Sequence, residues 1–421
     1  MPALTLKVGQ YVLHHGGLAV ARSLGRAQVA VYVVCEDRWA PTACSRYVKG
    51  KFVWPTGGQD TYQEQLLGGI AAVGDRIGRP AVLIPTDDYA AIFVAEQADI
   101  LRRWFLLPRM DPGLPRSLAD KRLLYARCRE LGVAVPETVV AETLEDIEHV
   151  IEAMSFPVVV KAAIPCLLPS GGRGPSTRIV DDRHQLHAIF ASDATVRPYP
   201  ALVQEHLPAG PAADWLFHAY CDASSTCLVA FTGQKVASFP PGTGETALGA
   251  AAANPVLEQQ ARGLLKDLRY SGVVSLDYRF DRRDGRFKLL DFNPRVGAIF
   301  RLFQTTSGID VVRALHLDLT GRSVPPDPPV DGRTAVVEGY LLRECWSRLR
   351  EGRGGPCGTL SSLVGAQERA WVARDDPVPA IVASMRVASR RVVAVTGRAP
   401  RSGPGHVPPR YVRGRASRRG R

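Results

Sequence analysis

Two aspartates and an asparagine near the middle of the chain carry the clearest chemistry. They lie in Gly-Val-Val-Ser-Leu-Asp-Tyr-Arg-Phe (272–280), Asp-Arg-Arg-Asp-Gly (281–285) and Arg-Phe-Lys-Leu-Leu-Asp-Phe-Asn-Pro-Arg (286–295). This pattern predicts a β-hairpin turning at Arg283-Asp284-Gly285, with the glycine in the left-handed position. That register sets Asp277 directly opposite Asp291, and Asn293 shares their face because strand side chains alternate. Val274, Leu276, Tyr278 and Phe280, facing Leu290 and Phe292, form the apolar side. Carboxylates paired across a hairpin, with Cβ atoms about 5 Å apart, repel one another. A hard divalent cation relieves that repulsion, and magnesium favours such a ligand set because it keeps sites for water and phosphate oxygens. A shared proton, or a register that separates the pair, is the other reading.

Further cationic and phosphate-binding features lie upstream. Lysine is scarce, 8 residues against 45 arginines, yet Lys161 closes the apolar strand in 156–163. Buried in a cleft it needs an anionic partner; at an exposed strand end it reaches solvent. The loop Pro169-Ser170-Gly171-Gly172-Arg173-Gly174 can offer backbone N–H groups to phosphate, or serve as a plain flexible turn. No Walker A sequence occurs. Leu202-Val203-Gln204-Glu205-His206-Leu207-Pro208-Ala209-Gly210, followed by Asp214, reads as a strand running into a turn. Its end can present backbone groups to an adenine edge and a carboxylate to ribose hydroxyls.

These residues need elements to hold them. Through about residue 110, short apolar runs alternate with amphipathic helices, the pattern of parallel strands with crossover helices. A Rossmann-like layer is therefore expected, but GxGxxG is absent, which disfavours a dinucleotide. Residues 107–117, rich in Pro and Arg, read as a linker. Beyond them, strands and helices in βαβ and antiparallel order predict a two-lobed α+β region. Arg22, Arg46, Asp87 and Asp88, with His14 and His15, are candidate substrate contacts in the first layer, each otherwise a surface or capping residue.

Composition narrows the class. With 46% hydrophobic and 22% charged residues, the 421-residue chain has the balance of a globular protein large enough for two or three domains. No apolar run approaches the roughly 20 residues that span a bilayer. The first residues lack a secretory pattern, and the eight cysteines contain no CxxC pair. A cytoplasmic location with reduced thiols is expected. Eight arginines after residue 397 account for eight of the twelve net positive charges, leaving +4 for the rest. The excess lies in a Gly/Pro/Ser-rich tail whose composition predicts disorder, so nucleic acid is not an expected partner.

Taken in order, Lys121 in ADKRLLY, Lys161 in VVVKAA, the LVQEHLPAG hinge and LDYRF…KLLDFNPRVG resemble the ATP-grasp superfamily over roughly 115–320. HHGGLAVARSLGR, SRYVKGKFVWP and ARDDPVPA resemble its carboxylate–amine ligase branch, which includes D-aspartate ligase-like proteins. The resemblance implies an α/β and α+β chain: a Rossmann-like domain (1–112), a two-lobed ATP-grasp domain (113–325, hinge near 205–208), a C-terminal appendage (326–397) and a disordered tail (398–421). It implies that Lys121 and Lys161 contact ATP phosphates. Backbone groups of Glu205 and Leu207, beside Gln204, would read adenine, the Glu205 carboxylate accepting from its amino group; Asp214 would meet the ribose. Asp277, Asp291 and Asn293 would hold Mg2+ or Mn2+, and Arg295 would cover the transferred phosphoryl group. Asp stands where many relatives carry Glu at the metal positions, and Arg173 where the loop of relatives carries Lys. The implied activity is ATP-dependent joining of a carboxylate to an amine through an acyl phosphate, in a homodimer acting on small molecules. Bicarbonate or carbamoyl chemistry, or an ATP-binding pseudoenzyme acting through a partner, are the alternatives.

Overall fold

The computed structural model describes residues 1–9, 11–54, 63–163, 177–192, 201–210, 212–350, 357–396 and 409–413. The Gly-rich loop at 169–174 lies outside the described residues. The first domain contains strands β1 (Ala3–Leu6), β2 (Val31–Cys35), β3 (Val48–Val53), β4 (Ala81–Pro85) and β5 (Phe105–Leu106). They form a parallel sheet in the order β3-β2-β1-β4-β5. Every residue of β1 and β2 is buried, as a sheet covered on both faces requires. Helices α1 (His15–Arg26), α2 (Gln63–Ile77) and α3 (Asp88–Glu96) supply the crossovers. The Rossmann-like expectation holds.

The next sheet is antiparallel, ordered β6 (Thr138–Ala141), β9 (Ala201–Glu205), β7 (Val158–Ala162), β8 (Thr177–Val180). Helices Leu144–Ala153 and Arg183–Ser192 bury Ile147, Val150 and Leu186 against Val158, Val160 and Val203. This lobe carries Lys161 and Gln204–Leu207.

The largest sheet contains β10 (Asp214–Cys221), β11 (Cys227–Phe239), β12 (Glu245–Ala251), β13 (Gly272–Asp281), β14 (Arg286–Asn293), β15 (Thr334–Val336) and β16 (Glu368–Arg369). Its order is β14-β13-β10-β11-β12-β15-β16. One face packs on the helix Pro255–Asp267 and on Leu124 and Tyr125 of the helix Lys121–Glu130. The opposite face shares a core with the first domain: Leu216, Tyr220, Phe231 and Phe303 belong to one cluster with Val20, Val33 and Ile84. That continuity fixes the first domain against the sheet bearing the acidic pair.

Residues after 325 are built into this body, since β15 pairs with β12. Asp376 is 1% exposed and receives bonds from Arg22 Nε (3.0 Å), Ser45 Oγ (2.8 Å) and the Arg46 amide (2.9 Å). The expected structureless tail is interrupted by β17 (Arg410–Arg413), which pairs antiparallel with β3. The physical reason is local. Gly50 leaves room that a Cβ would fill, and the Tyr411 ring lies 5.3 Å from Phe52.

Candidate active site

The sheet of β6–β9 and the large sheet face each other across a cavity of about 720 Å³ that also reaches the first domain. Lys121, Lys161, Gln204, Glu205, Leu207, Asp214, Asp277, Asp291, Asn293 and Arg295 all line it.

Asp277 opposes Asp291 as expected, by two departures that cancel. Strand pairing extends to Asp281 with Arg286, which lengthens the turn to Arg282-Arg283-Asp284-Gly285 and shifts the register by one. An irregularity between Asp277 and Tyr278 then restores it, pairing Tyr278 with Leu289 but Asp277 with Asp291. Leu289, fully buried, therefore takes the core position expected of Leu290. Two rows cross this face: Leu216, Asp277 and Asp291, and beside them His218, Ser275 and Asn293.

Each aspartate holds an ammonium group. Lys235 lies 2.9 Å from Asp277, and Lys121 is paired with Asp291. Lys121 is the first residue of its helix; the Asp120 side chain caps that turn and the Lys121 amide bonds to the carbonyl of Ala163. Burial would raise the Asp277 pKa, but Lys235 outweighs it and holds the carboxyl below its usual range. Lys235 is absent from the expected set, because nothing local in its strand distinguishes it from a surface lysine.

Lys161 is 7% exposed and has no ion pair among the described residues. Burial, reinforced by Lys121 and Arg279, pushes its ammonium well below the usual lysine range, against the pull of Asp277. An anion entering the cleft would supply the missing partner. Arg295 reaches Asp88 through Nε (3.0 Å) and Asn293 Oδ1 through Nη2 (3.0 Å). His218, 1% exposed, meets Ser275 Oγ at 3.1 Å, and burial lowers its pKa to about 4.

Two of the expected contacts already have partners in the structure. The Glu205 carboxylate is already filled: Lys288 (2.8 Å), Arg283 (2.5 Å) and the Glu137 amide (3.0 Å) donate to it, so it has little capacity for an adenine amino group. Asp214 forms a two-pronged pair with Arg279 at 2.6 and 3.0 Å, which a ribose hydroxyl would have to share. Arg279 also donates to the Leu207 carbonyl at 3.0 Å. The Leu207 N–H has no partner among the described residues and remains available to a base. Gln204 is 2% exposed and donates to Thr138 Oγ1 at 3.0 Å, so its side chain supports the hinge from beneath.

Of the candidate substrate contacts in the first domain, Asp88, His14 and His15 line the cavity. Arg22 is 1% exposed and clamps the segment 370–376. Arg46 binds the same segment, and Asp87 accepts from the Val8, Gly9 and Ala90 amides. Those three are structural.

Two carboxylates with an amide oxygen form an incomplete cation cage, and no group of three or more His, Cys, Asp or Glu suited to a metal occurs among the described residues. Such a set fits a magnesium ion that arrives bound to phosphates.

Solved structures with a similar fold include L-amino acid ligase from Bacillus licheniformis, at TM-score 0.56 and 16% identity, over 78% of this chain and 74% of that one. The biotin carboxylase domain dimer of Hydrogenobacter thermophilus 2-oxoglutarate carboxylase, solved with MgADP and bicarbonate, matches at TM-score 0.56 and 14% identity, over 77% and 70%. The chain has the ATP-grasp fold. Among curated proteins, D-aspartate ligase of Enterococcus faecium is 23% identical over 313 residues, 71% of this chain and 73% of that ligase. The chain also matches the carbamoyl phosphate synthase large chain of Methanosphaerula palustris at 22% identity, but spans 19% of its length. No family model matches.

Proposed function

We propose that the chain is an ATP-dependent carboxylate–amine ligase, forming ADP and phosphate through an acyl phosphate. The observation that carries this is the facing pair Asp277 and Asp291, each with a lysine, in one cleft with the unpaired Lys161. A carboxylate oxygen is a poor leaving group; transfer of the γ-phosphoryl group to it creates a good one, which an amine then displaces. Charge builds on the transferred group, and fixed cations there lower the barrier.

Lys161, Lys121 and Lys235 would bind the phosphates, while the Leu207 N–H would orient the base. Arg295, anchored by Asp88, would cover the acyl-phosphate oxygens. Asp277, Asp291 and Asn293 would hold the magnesium, which when bound neutralises and orients the triphosphate. Small carboxylates and amines in the cytoplasm are the partners this reading requires. A homodimer is part of the proposal, and sedimentation velocity checks it; among described residues no helix is long and apolar enough to cross a membrane.

The test is coupled ADP release with pools of carboxylates and amines, comparing the parent with Asp291→Asn. Release that needs both substrates and is lost in the variant supports the ligase. Bicarbonate-dependent release without an amine points to carboxylation chemistry, and nucleotide binding with no turnover in any pool points to a pseudoenzyme.

A further inference from the structure

Cys221 and Cys227 lie outside the cleft, where β10 turns into β11. Cys221 is the last residue of β10 and Cys227 the first of β11. Tyr220 pairs with Val229, a register that would set Cys221 opposite Leu228. An irregularity between Tyr220 and Cys221 moves Cys227 into that place instead, and the two sulfurs stand 2.9 Å apart. Facing residues of antiparallel strands lie about 4.5–5.5 Å apart at Cα. That falls within the span of about 4.4–6.8 Å that a disulfide bridges.

The turn holds this geometry without help from the sulfurs. Asp222 Oδ1 accepts from the Ser224 amide (2.9 Å), the Ser224 hydroxyl (2.7 Å) and the Thr226 amide (2.9 Å). The Asp222 amide donates to the Thr226 carbonyl at 3.0 Å. Cys221 is fully buried in the cluster that holds Leu257, Ala261 and Leu265 of the helix Pro255–Asp267, whereas Cys227 is half-buried. Arg262 of that helix donates to the Cys227 carbonyl at 3.0 Å. The contact with Cys221 holds the Cys227 thiol below the usual cysteine range against the effect of burial, and Arg262 acts in the same direction. The thiolate is the reactive form of cysteine. An outer thiol inclined to ionise therefore stands against an inner one sealed from solvent.

We propose that Cys221 and Cys227 form a reversible disulfide when the protein meets a peroxide, Cys227 capturing the oxidant and Cys221 resolving the product. The Cys227 thiolate attacks one oxygen of hydrogen peroxide, the O–O bond breaks, and the departing hydroxide takes up a proton to become water. Cys227 is left as a sulfenic acid. Cys221 then attacks the Cys227 sulfur; the S–O bond breaks, and the departing hydroxide takes the Cys221 proton as a second water. The two thiols lose two electrons and two protons together, and the peroxide gains both. A dithiol reverses the reaction by thiol–disulfide exchange. The bond lies on the helix-covered face of the large sheet, with Phe217 and Ala219, while Leu216 and His218 face the cleft. It ties β10 to β11 without entering the cleft, and it does not depend on the ligase reading.

The experiment treats the reduced full chain, freed of reductant, with equimolar hydrogen peroxide and then blocks remaining thiols with iodoacetamide. Cys221 and Cys227 share one tryptic peptide with no other cysteine, so mass spectrometry reads their state directly. Peroxide should convert this peptide from the doubly alkylated form to one two hydrogens lighter than the dithiol, and dithiothreitol should restore double alkylation. The oxidised protein should unfold about 2 °C higher, as expected of a short closed loop in a chain of this length. Cys227→Ser should abolish that rise, and Cys221→Ala should stop Cys227 at the sulfenic acid, which dimedone traps; circular dichroism verifies that both variants fold. Two alkylated thiols after peroxide in the parent, a bond from Cys227 to a different cysteine, or oxidation of Cys227 to the sulfinic acid in place of the disulfide overturns the proposal.

Discussion

Replacing Asp376 by alanine should destabilise the protein more than any exposed substitution, and the structure gives the magnitude. Arg22 and Asp376 are each 1% exposed. The guanidinium also donates to the Ala370 carbonyl at 3.1 Å, the Trp371 carbonyl at 2.7 Å and the Asp376 carbonyl at 3.0 Å. Removing the carboxylate leaves a buried cation with carbonyl dipoles alone, and orphans the Arg46 amide and the Ser45 hydroxyl. Breaking a buried pair from one side costs about 3–5 kcal/mol. The carbonyl bonds that survive favour the lower end, about 3 kcal/mol. The double variant Arg22→Met/Asp376→Leu removes both charges and should regain most of that loss, because apolar replacement of a buried pair is often close to neutral. Guanidinium unfolding followed by tryptophan fluorescence measures both. A loss below about 1 kcal/mol in Asp376→Ala, or a double variant no more stable than the single, would refute the assignment of this pair as the clamp holding the segment after 370.

Other outcomes follow from the cleft. Lys161→Met removes a buried, unpaired ammonium, so the apoprotein should gain about 1 kcal/mol in denaturant unfolding while ATP affinity falls about 10- to 100-fold by calorimetry. Asp291→Asn should keep its fold yet lose Mg2+-dependent ADP formation by on the order of 10²–10³-fold in the coupled assay. His218 titrates near 4 in the folded chain against an ordinary value near 6.5. The unfolded state therefore binds the extra proton between those values, and stability should fall on acidification from about pH 6.5 to 4, by up to about 3 kcal/mol. His218→Gln should flatten that slope in urea midpoints taken at pH 5 and 7.

The parallel layer was readable because its strands are short, apolar runs separated by amphipathic helices. The acidic pair was readable because alternation fixes which residues share a face. The longer turn and the irregularity beside Tyr278 were not, because a one-residue shift leaves no mark in the pattern when a second shift cancels it. Long-range pairing was also invisible. Nothing local to Glu205 announces that Lys288 and Arg283, some eighty positions later, saturate it. Lys235 and Arg343 look like ordinary surface cations until β11 and the helix Glu338–Arg350 bring them to the cleft. Arg22 was misread for the converse reason: a buried arginine with a distant carboxylate has the same local sequence as a substrate contact.

The short strand β17 has a practical consequence. It covers the open side of β3, a margin of the first sheet that would otherwise present unpaired amides and carbonyls to a neighbouring molecule. Trimming the arginine-rich terminus as expendable would uncover that margin together with Phe52. A shortened protein should then self-associate with rising concentration, even though every group in its cleft is intact.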